Sequence, residues 1–199
     1  MKAAVFLADG FEDIEALSPV DYLRRAGIDV ITVGIPTGCN SPVKYQDKRV
    51  ITSSHNVPIV TDILFEEYLE QYGNNIPDCV VCPGGGRGAQ NLGATEKLLS
   101  HLEKAFEQKK LVAAICASPA VVLGKTNILN GKKWTCYPSM QTEARAEYIS
   151  GYSDKVFITD GNLVTSRGPG ASEQFAMELV RILAGQKVCD DVHNGCLLR

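Results

Sequence analysis

The sequence predicts an α/β fold in which a mostly parallel sheet is covered by helices on both faces. Short apolar runs alternate along the chain with segments whose apolar residues recur every three or four positions. Several runs, such as 111–115, are apolar throughout, which is typical of strands buried on both faces. The chain has 199 residues, 45% hydrophobic and 22% charged, which suits one domain with a substantial core.

Strands are predicted where an apolar run ends at glycine, proline or polar residues. The predicted strands are 2–8, 28–33, 50–52, 57–60, 79–82, 111–115, 156–158 and 163–165. The last two flank Asp160-Gly161, which indicates a hairpin. The predicted helices are 13–26, 65–71, 95–108 and 171–184. Residues 38–49 are polar and are expected on the surface, and no element is predicted for the polar tail, 186–199, of a single domain spanning 1–199.

Composition and charge argue against several classes of function. The formal net charge is −3, the pI is about 5.6 and the basic residues are not clustered, so neither nucleic acid nor a membrane surface is an expected partner. The first apolar run is too short for a signal peptide, and no run approaches the length of a membrane span. Seven cysteines without a secretory signal are typical of cytosolic thiols, so we expect a cytoplasmic protein.

Cys79 and Cys82 form a C-x-x-C pair within a predicted strand. Residues three apart on a strand face opposite sides, so the two sulfurs should diverge. We therefore expect buried structural thiols rather than a redox or zinc motif. The three histidines lack the spacing of metal ligands, and no metal site is expected.

The most informative stretch surrounds Cys116. Five apolar residues lead into it, and two small residues, Pro119 and a second apolar run follow, which predicts a buried strand, a sharp turn and a helix start. Pro119 suits an early helical position, where its missing N–H costs nothing. The positive end of that helix would favour a thiolate. The residues alone leave two alternatives, a nucleophile or an inert core thiol, because free cysteine is commonly buried.

Three loops are expected to meet at the carboxyl ends of the parallel strands, where such sheets bind ligands. They are 9–15, 83–88 and 116–119. Gly84, Gly85 and Gly86 would allow backbone N–H groups to approach Cys116, as an oxyanion hole requires. A tight turn without any ligand explains these glycines equally well. They fit neither a dinucleotide fingerprint nor a phosphate-binding loop.

Three carboxylates crowd the start of the first predicted helix. Compensation of the helix dipole explains Glu12 and Asp13. Glu15 lies one step further along and is expected to point toward the sheet edge. There it would hold a proton and donate a hydrogen bond to the Cys116 sulfur, because a carboxylate and a thiolate in contact repel each other.

Four segments together resemble the ThiJ/PfpI (DJ-one) superfamily, in particular its dimeric DJ-one-like branch. They are 8–15 (ADGFEDIE), 83–85 with 88–92 (PGG and GAQNL), 113–119 (AAICASP) and 165–170 (TSRGPG). The resemblance extends over about residues 2 to 188. It implies a flavodoxin-like fold, a homodimer and no cofactor.

The resemblance also implies roles for individual residues. Cys116 matches the family's reactive cysteine at a strained nucleophile elbow, and Glu15 matches the acid that hydrogen-bonds its sulfur. The backbone N–H groups of Gly85 and Ala117, beside Gly84, match the groups that bind the oxyanion or substrate.

Other positions match the place where the family builds its dimer contact beside the active site. They are Arg24, Arg25 and, within 166–170, Arg167 and Pro169. Val20 and Leu23 share the first helix and are expected on the same face. Two positions depart from relatives: Tyr137 replaces a histidine that precedes a proline, and His55 falls where one relative has an arginine near the sulfur. Tyrosine is a poor base near neutral pH, so proton transfer falls to Glu15.

The resemblance implies an enzyme acting on reactive dicarbonyls or their adducts. The Cys116 thiolate adds to an aldehyde, Glu15 moves a proton between adjacent carbons, and hydrolysis releases a hydroxy acid without glutathione. A deglycase, which removes early protein adducts, uses the same chemistry. The alternative is an oxidative-stress sensor coupled to chaperone activity, in which Cys116 becomes a sulfinate. An amidotransferase or peptidase is disfavoured, because Cys116 lacks flanking glycines in a G-x-C-x-G pattern and a suitable histidine.

Overall fold

A computed structural model of the chain describes residues 1–37 and 46–198, so positions 38–45 of the predicted surface excursion lie outside the described residues. The strands are β1 (Lys2–Ala8), β2 (Asp29–Ile35), β3 (Val50–Thr52), β4 (Pro58–Val60), β5 (Ile63–Leu64), β6 (Cys79–Cys82), β7 (Leu111–Ile115), β8 (Phe157–Asp160) and β9 (Leu163–Ser166). The helices are α1 (Asp13–Arg25), α2 (Phe65–Tyr72), α3 (Gly86–Gly93), α4 (Glu96–Glu107), α5 (Ser118–Val121), α6 (Ser172–Ala184) and α7 (Gln186–Gly195). Short 3-10 segments cover Leu123–Lys125, Gln141–Glu143, Ala146–Gly151 and Pro169–Ala171.

Seven strands form one sheet in the order β5-β2-β1-β6-β7-β9-β8. Its neighbouring strands run parallel, except that β8 and β9 form an antiparallel hairpin. The β3 and β4 strands pair separately. Both β6 and β7 are buried throughout, as expected of strands covered on both faces. The predicted α/β fold is confirmed, and the arrangement is consistent with a flavodoxin-like architecture.

Alternate residues of the central strands enter two separate hydrophobic cores, one on each face of the sheet. On β1, Phe6 packs edge-to-face against Phe65 and Tyr68, whereas Val5 and Leu7 belong to the opposite core. The two-residue period of a strand produces this division. Helices are therefore needed on both faces, which is the layer order that the sequence predicts.

The C-x-x-C pair follows the same rule. Cys82 belongs to the core that contains Phe6, and Cys79 belongs to the opposite one. Neither thiol is exposed, and burial raises the pKa of Cys82 to about 12 and that of Cys79 further still. The expectation of divergent, buried structural thiols is confirmed.

Three helices differ from the sequence expectations. Helix α3 begins within the expected loop 83–88 and continues through residues for which no element was predicted, because burial of Ala89 and Leu92 outweighs the poor helix propensity of glycine. Helix α7 forms in the tail, where no element was predicted, since Cys189 and Val192 are buried against the rest of the domain. Helix α5 is only four residues long.

Within the described ranges, no helix has the length and apolar character needed to cross a membrane.

Candidate active site

Cys116 directly follows β7 and adopts a left-handed backbone conformation, with φ at 63°. Such a conformation is costly for a residue with a side chain and persists only when the surroundings enforce it. Here the Cys116 N–H donates to the Ser166 carbonyl oxygen at 2.8 Å, and the Cys116 carbonyl oxygen accepts from the Tyr137 N–H at 2.8 Å. Within this strained turn the residue is only 9% exposed.

Glu15 reaches the same point from α1. Glu12 caps this helix, because its side-chain Oε2 accepts from the Glu15 N–H at 2.8 Å. The Glu15 side chain is completely buried, and its Oε2 accepts from the Gly84 N–H at 2.9 Å. Its Oε1 is buried without an aligned hydrogen-bond partner among the described residues. The carboxyl group interacts directly with the Cys116 thiol.

Burial dominates the electrostatics of this pair. It raises the pKa of the Glu15 carboxyl to about 7, with a contribution from the negative Glu12 and an opposing one from the Cys116 side chain. Burial and the Glu15 carboxyl raise the pKa of the Cys116 thiol to about 12, although the N–H groups of Gly85 and Ala117 lower it. These two amides therefore lie where the sequence resemblance assigns the oxyanion donors.

The start of the following helix has only a small influence on the Cys116 thiol. Helix α5 is too short to provide a strong dipole, and burial and the Glu15 carboxyl together outweigh the two amides. The Glu15 carboxyl and the Cys116 thiol titrate as one coupled pair. After the pair has lost one proton, the two groups share the proton that remains. That first loss falls near neutral pH, because the pKa of Glu15 is about 7.

Glycines allow the 83–88 loop to pack closely against Glu15 and Cys116. A methyl group on Gly84 would lie 2.5 Å from Glu15 Oε2 and 2.6 Å from Cys116 Cβ. Gly85 has φ at 86°, and a methyl group there would overlap the Gly10 carbonyl oxygen. Real Cβ atoms do not approach other atoms this closely, so neither position has room for a side chain. At Gly85 the left-handed backbone conformation also favours glycine.

Two further side chains hold the loops in place. Ser118 Oγ donates to the Pro83 carbonyl oxygen at 2.6 Å, which ties the Cys116 turn to the glycine loop. Asn91 Nδ2 donates to the Asp9 carbonyl oxygen at 2.8 Å, which ties α3 to the loop after β1. Neither role could be predicted from the sequence, because each bond joins positions far apart in the chain.

Tyr137, Arg167 and Pro169 lie together along one open cleft. The Tyr137 backbone N–H donates to the Cys116 carbonyl oxygen, and the residue is 48% exposed. Arg167 pairs with Asp154 at 3.3 Å. These three predicted site residues are therefore grouped beside the Cys116 turn.

The structure does not bring the remaining predicted residues to the sulfur. Arg24 Nη2 donates to the Val30 carbonyl oxygen at 3.0 Å, at the start of β2, and Arg25 pairs with Asp21 at 2.8 Å. Both arginines lie near the end of α1, about 14 Å along the helix from Glu15 at 1.5 Å per residue. Any approach of these arginines to an active site would thus have to be to that of another chain.

Two expectations about the face of α1 are corrected. Val20 and Leu23 are buried in the core, 7% and 0% exposed, so they do not form an outer face. The exposed apolar residues of α1 are instead Ile14 and Leu17, 54% and 38% exposed. The sequence spacing identified the helix correctly but assigned its outer face to the wrong residues.

His55 lies over the start of α1 rather than at the sulfur. Its Nδ1 is 2.6 Å from Asp13 Oδ2, which raises the pKa of the imidazole. Potential ligand atoms of Glu12, Asp13 and His55 lie within 4.8 Å of one another, a grouping able to hold a metal ion. Spacing along the chain could not indicate it, because the histidine comes from the β3–β4 turn and the acids from α1.

Comparisons with known proteins agree with the resemblance found in the sequence. The sequence profile of the DJ-1/PfpI family matches residues 1–182. Protein dj-1beta of Drosophila melanogaster is 36% identical over 197 residues, which covers 99% of this chain and 97% of that protein. A protein of Pyrococcus abyssi named a deglycase is 29% identical over 183 residues, covering 92% of this chain and 99% of that protein. A solved structure of oxidized Toxoplasma gondii DJ-1 has a TM-score of 0.84 at 30% identity and covers 99% of this chain and 98% of that chain.

Proposed function

Since this chain belongs to the DJ-1/PfpI family, we propose that it is a cysteine-dependent enzyme acting on reactive dicarbonyls or their adducts without glutathione. One observation carries the proposal: a buried acid with a pKa near neutrality contacts a thiol whose sulfur also faces two backbone N–H groups. Such a pair supplies a nucleophile and a proton carrier in one place. No cofactor is part of the proposed chemistry.

The proposed reaction begins when the proton that the pair shares moves from the Cys116 thiol to the Glu15 carboxylate, which leaves a thiolate beside a protonated acid. The sulfur bonds to the aldehyde carbon of methylglyoxal, and the aldehyde oxygen takes a proton to give a hemithioacetal. The N–H groups of Gly85 and Ala117 stabilise the negative oxygen as it forms.

An internal transfer of hydrogen then completes the redox change without any external oxidant. Glu15, a carboxylate once it has given its proton to the aldehyde oxygen, removes the proton from the former aldehyde carbon and returns it to the neighbouring former ketone carbon. The hydroxyl proton passes to the former ketone oxygen, which leaves a thioester beside an alcohol. Water cleaves the thioester, releasing lactate and restoring the Cys116 thiol. Hydrolysis of an early adduct on an amine or thiol would use the same nucleophile. A deglycase activity is named for the Pyrococcus abyssi relative.

A methylglyoxal assay without glutathione tests this proposal. We expect purified protein to consume methylglyoxal and form lactate, measured by NMR, and Cys116→Ser to lose this activity. Cys196→Ser is the matched control, because Cys196 is a partly exposed thiol outside the site and its removal should leave the rate unchanged. Turnover that survives in Cys116→Ser, or no turnover by the unmodified protein, would contradict the proposal.

A second proposed function is redox sensing, favoured by the likeness to a DJ-1 structure solved in an oxidized form. Peroxide would convert the Cys116 thiolate to a sulfenate with release of water, and a second peroxide would give a sulfinate. The Glu15 carboxyl and the two amides would bind its oxygens. We expect mass spectrometry after peroxide treatment to find sulfinate at Cys116 and less of it in Glu15→Asp, whose shorter side chain reaches less far. Equal oxidation of Cys196 would argue against a specific sensor.

We further propose that the chain forms a homodimer through the outer face of α1. Ile14 and Leu17 are exposed there, and burying such apolar surface favours association. Light scattering at micromolar concentration should give about twice the 21.5 kDa chain mass. Leu17→Asp should shift the mass toward that of one chain, whereas Leu197→Asp, at an 88% exposed apolar position elsewhere, should not. A monomer mass for the unmodified protein would refute the proposal.

A further inference from the structure

A cleft of about 510 Å³ opens beside the Cys116 turn. Its walls include Tyr137, Pro138, Val156, Arg167, Pro169 and Gln174. Both sides of the cleft are joined to Cys116 by a backbone hydrogen bond. On one side, the Tyr137 N–H donates to Cys116; on the other, Cys116 donates to Ser166, the residue before Arg167. Two segments that line the cleft are therefore bonded directly to the turn that carries the nucleophile.

The cleft is larger than a three-carbon dicarbonyl requires. Its volume falls within the range of sites that enclose whole small molecules, roughly 300–1,000 Å³. A substrate whose aldehyde carbon meets the Cys116 sulfur would have space for several further atoms on this side. The chemistry of the walls should therefore decide which substrates fit.

One wall carries a guanidinium group, that of Arg167. Arg167 has five N–H donors, and within the described ranges its guanidinium makes one ion pair, from Nη1 to Asp154 Oδ1 at 3.3 Å. That pair is solvent-exposed, 40% and 61% on its two side chains, and such pairs are weak. No acidic residue lines the cleft in the described part of the chain. A guanidinium with unused donors binds carboxylates through two parallel hydrogen bonds.

Tyr137 adds a hydroxyl group to the lining of the cleft. Its ring lies against Gly168, where a methyl group would come within 3.4 Å of Tyr137 Cδ2. Its phenol hydroxyl can donate a hydrogen bond to a carboxylate oxygen. The Gln174 side chain provides a further amide at the rim.

We propose that Arg167 and Tyr137 form a carboxylate-binding subsite, and that the preferred substrates are α-oxo aldehydes carrying a carboxylate a few atoms from the reacting carbon. The inference rests on the proposed dicarbonyl chemistry at Cys116 and names its substrate class. Arg167 and Tyr137 set specificity and take no part in proton transfer, which remains with Glu15.

A pair of substrates of similar length tests the subsite. Turnover of 4,5-dioxopentanoate, an anion, should exceed that of neutral 2-oxohexanal by at least tenfold in kcat/KM. Arg167→Gln should raise KM for the anion about tenfold to a hundredfold, the range of a charge-assisted pair, and leave the neutral substrate unchanged. Tyr137→Phe should raise the same KM a few-fold. Arg49→Gln, which removes an exposed guanidinium also paired with one aspartate, should change neither substrate.

Asp154→Asn is a second variant that tests the subsite without removing Arg167, in case Arg167→Gln perturbs folding. It leaves Arg167 in place without its partner, so the preference for the anion should be retained or increased. A preference lost in Asp154→Asn, or an equal kcat/KM for the two substrates in the unmodified protein, would overturn the subsite.

Binding without turnover separates this inference from the proposed function. Levulinate has the carboxylate and ketone but no aldehyde, and it should slow alkylation of Cys116 by iodoacetamide, whereas neutral 2-hexanone should not. Arg167→Gln should abolish this protection. Protection by levulinate without turnover of any dicarbonyl would support the subsite and refute the enzyme. Turnover of methylglyoxal without protection would support the enzyme and refute the subsite.

Discussion

Glu15→Gln is expected to lower methylglyoxal turnover by about a hundredfold or more, the scale of a lost general acid or base. Glutamine keeps the shape and a hydrogen-bond donor near the Cys116 sulfur but carries no movable proton. Alkylation of Cys116 by iodoacetamide should therefore persist while lactate formation is lost. Steady-state turnover and peptide mapping of the alkylated thiol measure the two effects separately.

The pH profile gives the same prediction a second readout. Below the pKa of Glu15, about 7, the pair holds both protons, so neither a thiolate nor a base is present. The kcat/KM of the unmodified protein should rise with pH through about 7, and Glu15→Gln should lose that inflection. Glu12→Gln is the matched control. It keeps the helix cap and most of the activity, but its loss of negative charge should move the inflection to lower pH.

Full turnover by Glu15→Gln would remove the acid from the mechanism. In that case the oxidative role of Cys116 would become the better account of the site. An unchanged pH inflection in that variant would show that another group titrates near neutrality.

Gly84→Ala should be nearly as damaging to turnover, by about a hundredfold, and should also destabilise the fold. The added methyl group would meet Glu15 Oε2 at 2.5 Å and Cys116 Cβ at 2.6 Å, so both reacting groups must move. Overpacking of this kind typically costs about 1–3 kcal/mol of stability. Thermal unfolding and lactate formation measure the two losses.

The neighbouring Gly86→Ala provides the control for this substitution. A methyl group on Gly86 meets nothing within 4 Å, and the residue begins α3. Its activity should remain unchanged and its melting temperature should not fall. If Gly84→Ala were as active as Gly86→Ala, the close packing of the glycine loop would not matter to the reaction.

Much of the sheet and the position of Cys116 could be predicted from the sequence because the signals are local. The apolar runs 79–82 and 111–115 coincide with β6 and β7 at both ends. Pro119 marks the helix start, as expected from its missing N–H. The left-handed backbone of Cys116 could be inferred only from the family resemblance, since it is enforced by Ser166 and other residues distant along the chain.

Features that depend on tertiary burial could not be predicted from the sequence. Helices α3 and α7 have few apolar residues, and the buried faces they present form only once other elements cover them. The contact between His55 and Asp13 joins the β3–β4 turn to the first residue of α1, which share no local sequence pattern. Arg24 bonds to the Val30 carbonyl oxygen from the last turn of α1, a contact that a residue match to a dimeric family does not specify.

The buried acid that serves the reaction also makes the protein's free energy of unfolding depend on pH. Glu15 has a pKa of about 7 in the folded chain and 4.5 as the reference value, so between these values the folded state binds more protons than the unfolded state. Its contribution to stability is thus fully present below about pH 4.5 and is lost as the pH rises through about 7. The loss is on the order of 3 kcal/mol, a substantial part of the total stability of an ordinary domain. The protonation change that prepares the site for reaction is therefore also the one that weakens the fold, and alkaline conditions should bring activity and fragility together.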